Sequence, residues 1–165
     1  MTKRQVFYSF HYKKDCWRAA TVRSIGVIEG NKPAPDNDWE TVTTRGDQAI
    51  KKWIADQMKY RSCTIVLAGE QTANRKWINH EIIESWKAGM GIVGIYIHGL
   101  KNQDGYISNK GGNPFDFIKF KSGKKLSEIV KCYNPSGTNS KERYEWISKY
   151  LSAMTEEAIK IRENN

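Results

Sequence analysis

The strongest constraint on this chain is a pair of apolar runs with one helix's worth of residues between them. Ser62 to Ala68, SCTIVLA, and Gly91 to Ile97, GIVGIYI, are apolar and rich in β-branched residues. They lack the polar alternation of a strand with one wet face, so each requires cover on both sides, as the central strands of a parallel sheet do. Between them, Thr72 to Gly89 (TANRKWINHEIIESWKAG) places Trp77, Ile78, Ile82, Ile83 and Trp86 at the spacing of a buried helical stripe. Thr72 or Asn74 supplies a start signal, Gly89 a stop, and Lys87 suits the last turn, giving a helix of about four turns. Strand, helix, strand with short joints is a right-handed βαβ crossover.

The remaining segments extend this pattern. Residues 4 to 10, RQVFYSF, read as a first buried strand, with His11 and Tyr12 at its carboxyl end. Asp15 is placed to cap a helix from Cys16 to about Ile28, with Trp17, Ala20, Ser24 and Ile28 on one face. A weakly coded strand around 26–28 precedes Gly30 to Trp39, GNKPAPDNDW, a loop by its prolines, glycine and Asn/Asp residues. Thr44 and Asp47 resemble a capping box for a helix whose stripe is Ala49, Ile50, Trp53, Ile54 and Met58. Residues 100–112 are turn-rich, and Asn113 to Phe117 leads into an expected short edge strand at 118–120. A last amphipathic helix runs from about Ser140 to Ile161 through Tyr144, Ile147, Leu151, Met154 and Ala158. The sum is an α/β, flavodoxin-like three-layer fold: a central parallel sheet flanked by helices, closed by a C-terminal amphipathic helix. Residues 1–165 form one domain, with a core of about 4–120 and a C-terminal extension of about 121–162.

Composition removes several function classes. There are 27 Lys and Arg against 18 Asp and Glu, a formal charge of +9, which admits an anionic partner. The basic residues lie in dispersed pairs (Lys13/Lys14, Lys51/Lys52, Arg75/Lys76, Lys124/Lys125). That is the pattern of solvated faces and not of one nucleic-acid-binding stripe, so nucleic acid is set aside as a partner. Cys16, Cys63 and Cys132 form neither a disulfide framework nor a Cys/His pair at metal-ligand spacing, so no metal is expected and a reducing compartment is. The N-terminus has no apolar signal region, and the run from Ile92 to Ile97 is too short to span a bilayer. The expectation is a cytoplasmic protein without a membrane segment.

In an open parallel sheet, ligands bind beyond the carboxyl ends of the strands, where helix N-termini gather. Three such ends are legible: Ser9 to Tyr12, Gly69 to Thr72, and His98-Gly99. None carries GxGxxG or GxxxxGK[ST], which removes the dinucleotide fingerprint and the P-loop. The acidic residues of a phosphoacceptor receiver and the hydroxyl-rich loop of a flavodoxin are missing too. Glu81, one turn past Trp77, falls at the edge of the buried stripe, where its pKa can be tuned. The plainer reading of Glu81 is a solvated helix glutamate.

A family resemblance bears on that choice. Val6-Phe7-Tyr8-Ser9-Phe10 followed by Asp15, and Trp77-Ile78-Asn79-His80-Glu81-Ile82, resemble the two best-marked motifs of TIR domains. The second matches the W-x-x-x-E helix that carries the catalytic glutamate in NAD-consuming members. VFYSFHYKKD, TIVLAGEQTANRKWINHEI, IVGIYIHGLKNQDG and KGGNPFDFI are similar to the TIR-like ThsB proteins of the bacterial Thoeris antiphage system, over about residues 4 to 120. Where ordinary TIR domains carry an Arg-Asp strand and a Pro-Gly loop used in self-assembly, this chain has GNKPAPDNDWE, a departure it shares with the ThsB branch.

The resemblance implies cleavage of the nicotinamide N-glycosidic bond of NAD, here a substrate and not a cofactor, with Glu81 as the catalytic carboxylate. It implies a signalling nucleotide, a cyclic ADP-ribose isomer or an ADP-ribose conjugate, that acts on an effector protein, and self-assembly or a phage-derived trigger as the activating event. Ser9 and His11 are candidates for ribose or phosphate contacts. Phe7 and Phe10 offer aromatic surfaces or core packing. Trp77 is a candidate for the substrate wall or for packing that positions Glu81, and Asn113 sits in a turn that folds over the cleft or merely turns the chain. Arg75 and Lys76 face pyrophosphate or solvent. The competing class is a TIR-like scaffold that turns nothing over.

Overall fold

A computed structural model of the chain describes residues 3–30 and 46–165. Its strands are β1 (Gln5–Phe10), β2 (Glu29–Gly30), β3 (Cys63–Ala68), β4 (Gly91–Tyr96) and β5 (Cys132–Tyr133). They pair in parallel throughout, in the order β2-β1-β3-β4-β5. The helices are α1 (Tyr12–Arg23), α2 (Asp47–Met58), α3 (Lys76–Lys87) and α4 (Ser140–Glu163). This is the flavodoxin-like, three-layer arrangement that the apolar runs demanded, with its topological switch point between β1 and β3.

Strand alternation divides the core into two faces. Val6 and Tyr8 of β1, with Cys63, Ile65 and Leu67 of β3 and Val93 and Ile95 of β4, pack against Ala19 and Val22 of α1 and Ile147, Leu151 and Met154 of α4. On the other face Phe7 meets Ile50, Ile54 and Met58 of α2, while Val66 and Ile92 meet Ile78 and Ile82 of α3 and Phe115 and Leu126. Both β3 and β4 are buried at every residue. The C-terminal stretch is integral to this sheet, since it supplies β5 and the helix that covers β4. That helix approaches very closely at Gly91, where an added Cβ would fall 2.6 Å from the backbone nitrogen of Ile159.

Several boundaries differ from expectation. Helix α1 starts at Tyr12 with His11 as its N-cap, and stops at Arg23. Asp15 is therefore inside the first turn and not the cap. The buried face is Asp15, Arg18, Ala19 and Val22, whereas Trp17 is 52% exposed. Two charged residues on a buried face conceal its periodicity from any hydrophobicity pattern. The short β2 lies at Glu29–Gly30, just past the predicted 26–28, pairing with Gln5 and Val6. The expected edge strand at 118–120 is instead a single antiparallel bridge, Lys119 to Lys125, after a 3-10 turn at Pro114–Phe117. The actual edge is the two-residue β5, too short for any pattern to announce. Residues 31–39 of the predicted loop, and Thr44 of the expected capping box, lie outside the described residues.

Gly91→Ala tests the close approach of α4 to β4. It should destabilise the protein by about 1–3 kcal/mol, because backbone must move to admit the methyl group. Urea unfolding should show a lower midpoint with an unchanged m-value.

Candidate active site

Helix α3 begins later than its sequence signals suggest. Thr72, instead of capping it, is buried and accepts a hydrogen bond from the Gly69 backbone N–H at 2.8 Å, closing the turn after β3. Asn74 adopts a left-handed φ of 62°, and Arg75 becomes the N-cap. The helix is Lys76–Lys87. Its buried face is Ile78, Glu81, Ile82 and Ser85, while Ile83 is 39% exposed and Trp77 and Trp86 are half-buried. The face is thus rotated from the predicted stripe, which moves Glu81 from its edge to its centre.

A hydroxyl relay fixes the helix against β3. Ser85 Oγ donates to the Glu81 carbonyl at 2.7 Å, which uses its single proton. Thr64 is therefore the donor in the 2.6 Å contact between Thr64 Oγ1 and Ser85 Oγ. This chain of bonds positions the backbone of Glu81 from within the core.

The Glu81 side chain is 5% exposed, and its Oε2 has no hydrogen-bond partner. Burial pushes its pKa up to about 8, and the Ser9 hydroxyl offsets this in part. Ser9 lies at the carboxyl end of β1, on the face toward α3, paired in register with Val66. The two groups influence one another without either Ser9 Oγ or Glu81 Oε2 completing a hydrogen bond of normal geometry. At neutral pH the protonated form of this carboxyl is favoured. The site can therefore receive a positively charged group that would draw the proton off.

The other sequence candidates scatter around this pair. His11 is half-buried at the start of α1, and burial together with Arg75, Lys13 and Lys14 holds its pKa below the ordinary value, so at neutral pH it is a neutral imidazole beside cations. Trp77 packs against the cluster of Phe7, Ile50 and Ile54 and meets His80 edge-on at 5.5 Å. Phe7 is 1% exposed within that cluster. Phe10 faces the opposite side of the sheet, against the α1 core and 6.2 Å from the Tyr12 ring. Asn113 caps the 3-10 turn by accepting from the Phe115 N–H at 2.9 Å. Lys76 pairs with Asp47 of α2 at 2.5 Å, and Arg75 Nε donates to Gln71 O.

What the sequence reading missed is a buried clamp on the α1 side. Arg18 donates to Asp15 Oδ1 at 3.0 Å, to Leu100 O at 2.7 Å and to Tyr106 O at 2.9 Å. Asp15 in turn occupies the space a side chain at Gly69 would need, since a Cβ there would lie 2.0 Å from Oδ2. Burial raises the Asp15 pKa and Arg18 works against that rise. The clamp ties α1 to the loops after β3 and β4. Its one sequence signal is the i, i+3 spacing of Asp15 and Arg18.

The chain is similar to known proteins. The family described as "Thoeris protein ThsB, TIR-like domain" matches residues 7–102. A protein of Bacillus cereus (strain MSX-D12) named "Putative cyclic ADP-D-ribose synthase ThsB1" is 38% identical over 134 residues, 76% of this chain and 69% of that protein. Among the described residues no helix is long and apolar enough to cross a membrane, and no group of three or more His, Cys, Asp or Glu could hold a metal ion.

The buried carboxyl makes a stability prediction with a definite sign. The folded pKa is near 8 and the ordinary value is 4.5, so the folded protein keeps the Glu81 proton to higher pH than the unfolded chain. Stability from this source is fully present below the ordinary value and is lost as pH rises through about 8. Glu81→Gln, which cannot ionise, should gain on the parent protein by a few kcal/mol between pH 4.5 and pH 9. Urea unfolding of both at the two pH values measures this. An identical difference at both would mean that Glu81 titrates normally.

Proposed function

The chain belongs to the ThsB TIR-like family of the Thoeris system, and from that premise we propose that it cleaves the nicotinamide N-glycosidic bond of NAD at Glu81 and makes an ADP-ribose-derived signal in antiphage defence. The observation that carries the proposal is a buried carboxyl, its Oε2 without a hydrogen-bond partner, beside Ser9 at the carboxyl end of β1 and β3, where this topology binds ligands.

The chemistry suits a carboxylate. Breaking the bond from ribose C1′ to the nicotinamide nitrogen sends the electron pair to the ring, which leaves neutral and needs no proton. The sugar is left as an oxocarbenium-like cation. A carboxylate in a low-dielectric site stabilises that charge as it forms, and the cationic substrate itself favours ionisation of Glu81 on binding. Ser9 is in place to exchange its contact with Glu81 for a ribose hydroxyl, and the Arg75, Lys13 and Lys14 charges around His11 suit the pyrophosphate.

The cation is then captured. Attack by an atom of the same bound molecule, with loss of its proton, gives a cyclic ADP-ribose isomer, water gives ADP-ribose, and a separate acceptor gives a conjugate. The name of the Bacillus cereus relative favours cyclisation. The product then acts on an effector protein, and assembly or a phage-derived trigger opens the site. The low exposure of Glu81 favours such a trigger, because a sugar reaching the carboxyl must displace side chains that now shield it. The same burial is what a non-catalytic scaffold would show.

Purified protein incubated with NAD, alone and with lysate from phage-infected cells, should release nicotinamide. The value of kcat/KM should rise with pH and level off above about 8. Glu81→Gln should reduce it by about 100- to 1000-fold and abolish that rise. Equal release by both proteins would remove Glu81 from catalysis, and silence under all conditions would favour the scaffold.

A further inference from the structure

A cleft of about 420 Å³ opens at the same end of the sheet, on the α1 side. Its floor is the Asp15–Arg18 pair, and its walls include Glu70 after β3 and Ser108 and Asn109 after β4. The Asp15 side chain is 1% exposed, and its Oδ2 has no hydrogen-bond partner. The buried Ser108 Oγ has none either. Buried polar atoms nearly always meet protein, water or ligand, so two without a protein partner in one cleft mark it as a place where an outside group can bind.

The chemistry of the lining narrows the ligand. Arg18 spends three of its five N–H donors on Leu100 O, Asp15 and Tyr106 O and its side chain is 4% exposed, so it offers little to a phosphate. Lys14 also lines the cleft, but an anion drawn to it would face the carboxylates of Asp15 and Glu70. Neutral O–H donors suit these acceptors, and the adjacent pair of carboxylates suits two donors side by side. Glu70 is held by a long 3.4 Å contact from Asn109 Nδ2, which a ligand can replace. Ile107, 55% exposed at the cleft, offers an apolar surface for a flat ring.

We propose that this cleft is a nucleoside subsite, in which the vicinal diol of a ribose donates to Asp15 and Glu70 while the base lies against Ile107. Assigning its occupant as the adenosine half of NAD rests on the function proposed above. On that reading Glu81 acts on one ribose of the dinucleotide from the α3 side of the sheet, and Asp15 and Glu70 hold the other ribose from the α1 side. The molecule straddles the switch point between β1 and β3.

Titration calorimetry of the full chain with adenosine and with 2′,3′-dideoxyadenosine tests the subsite without any turnover. Adenosine should bind, and loss of the diol should weaken binding about 10-fold or more. Glu70→Gln, at a half-buried position outside the clamp, should weaken adenosine similarly and leave the dideoxy compound unaffected. Glu81→Gln should leave adenosine binding intact. Failure of adenosine to bind at millimolar concentration, equal binding of the two nucleosides, or indifference to Glu70→Gln would overturn the subsite. Each of these can occur while Glu81-dependent nicotinamide release persists, and adenosine binding can persist without such release, so the two readings fail separately.

Discussion

A parallel sheet cannot leave either face wet, and that constraint organises this protein. Strands β3 and β4 are buried at every residue, so helices must cover both faces, and each crossover returns the chain to the same edge. One consequence is geometric. The strand ends, the helix starts and the loops between them collect at a single end of the sheet. Polar groups that face the core near that end are desolvated by the same layers that stabilise the fold.

The orphaned polar atoms follow this rule. Ser9 Oγ, Asp15 Oδ2, Asn79 Oδ1, Glu81 Oε2, His98 Nδ1 and Ser108 Oγ are buried without partners; Ser9 ends β1, His98 and Ser108 follow β4, and Asp15, Asn79 and Glu81 lie in the first two turns of α1 and α3. Each costs about 1–3 kcal/mol when left unsatisfied. The hydroxyls deeper in the sheet are satisfied, as the bonds from Thr64 to Ser85 and from Ser85 to the Glu81 carbonyl illustrate. The contrast separates groups that build the fold from those, Ser9, Glu81, Asp15 and Ser108, for which a ligand is proposed.

The Asp15–Arg18 pair occupies an intermediate place. Desolvating two charges is expensive, and a buried ion pair is tolerable only when its remaining hydrogen bonds are made. Arg18 makes three, two of them to backbone carbonyls of the loop after β4. The pair thereby fixes the spacing between α1 and the rim loops. Gly69 is required because Asp15 fills the volume beside it.

The amino-acid sequence by itself determined the layered parallel fold, because continuous apolar strands and periodic helices are local patterns that burial imposes residue by residue. It marked the helix carrying Glu81 and the strand end carrying Ser9, and the resemblance of those two segments to TIR motifs gave the carboxyl its expected role. It misplaced the start of that helix, since the Thr72 hydroxyl satisfies the Gly69 amide in the preceding turn and only the folded loop reveals that choice. It placed Phe7 and Phe10 together as aromatic candidates, and strand alternation separated them onto opposite faces. Only the tertiary structure decided that Glu81 sits at the centre of the buried face and that Asp15 closes on Arg18 and Gly69. Desolvation and convergence of loops are properties of neighbours distant in sequence, and no local pattern encodes them.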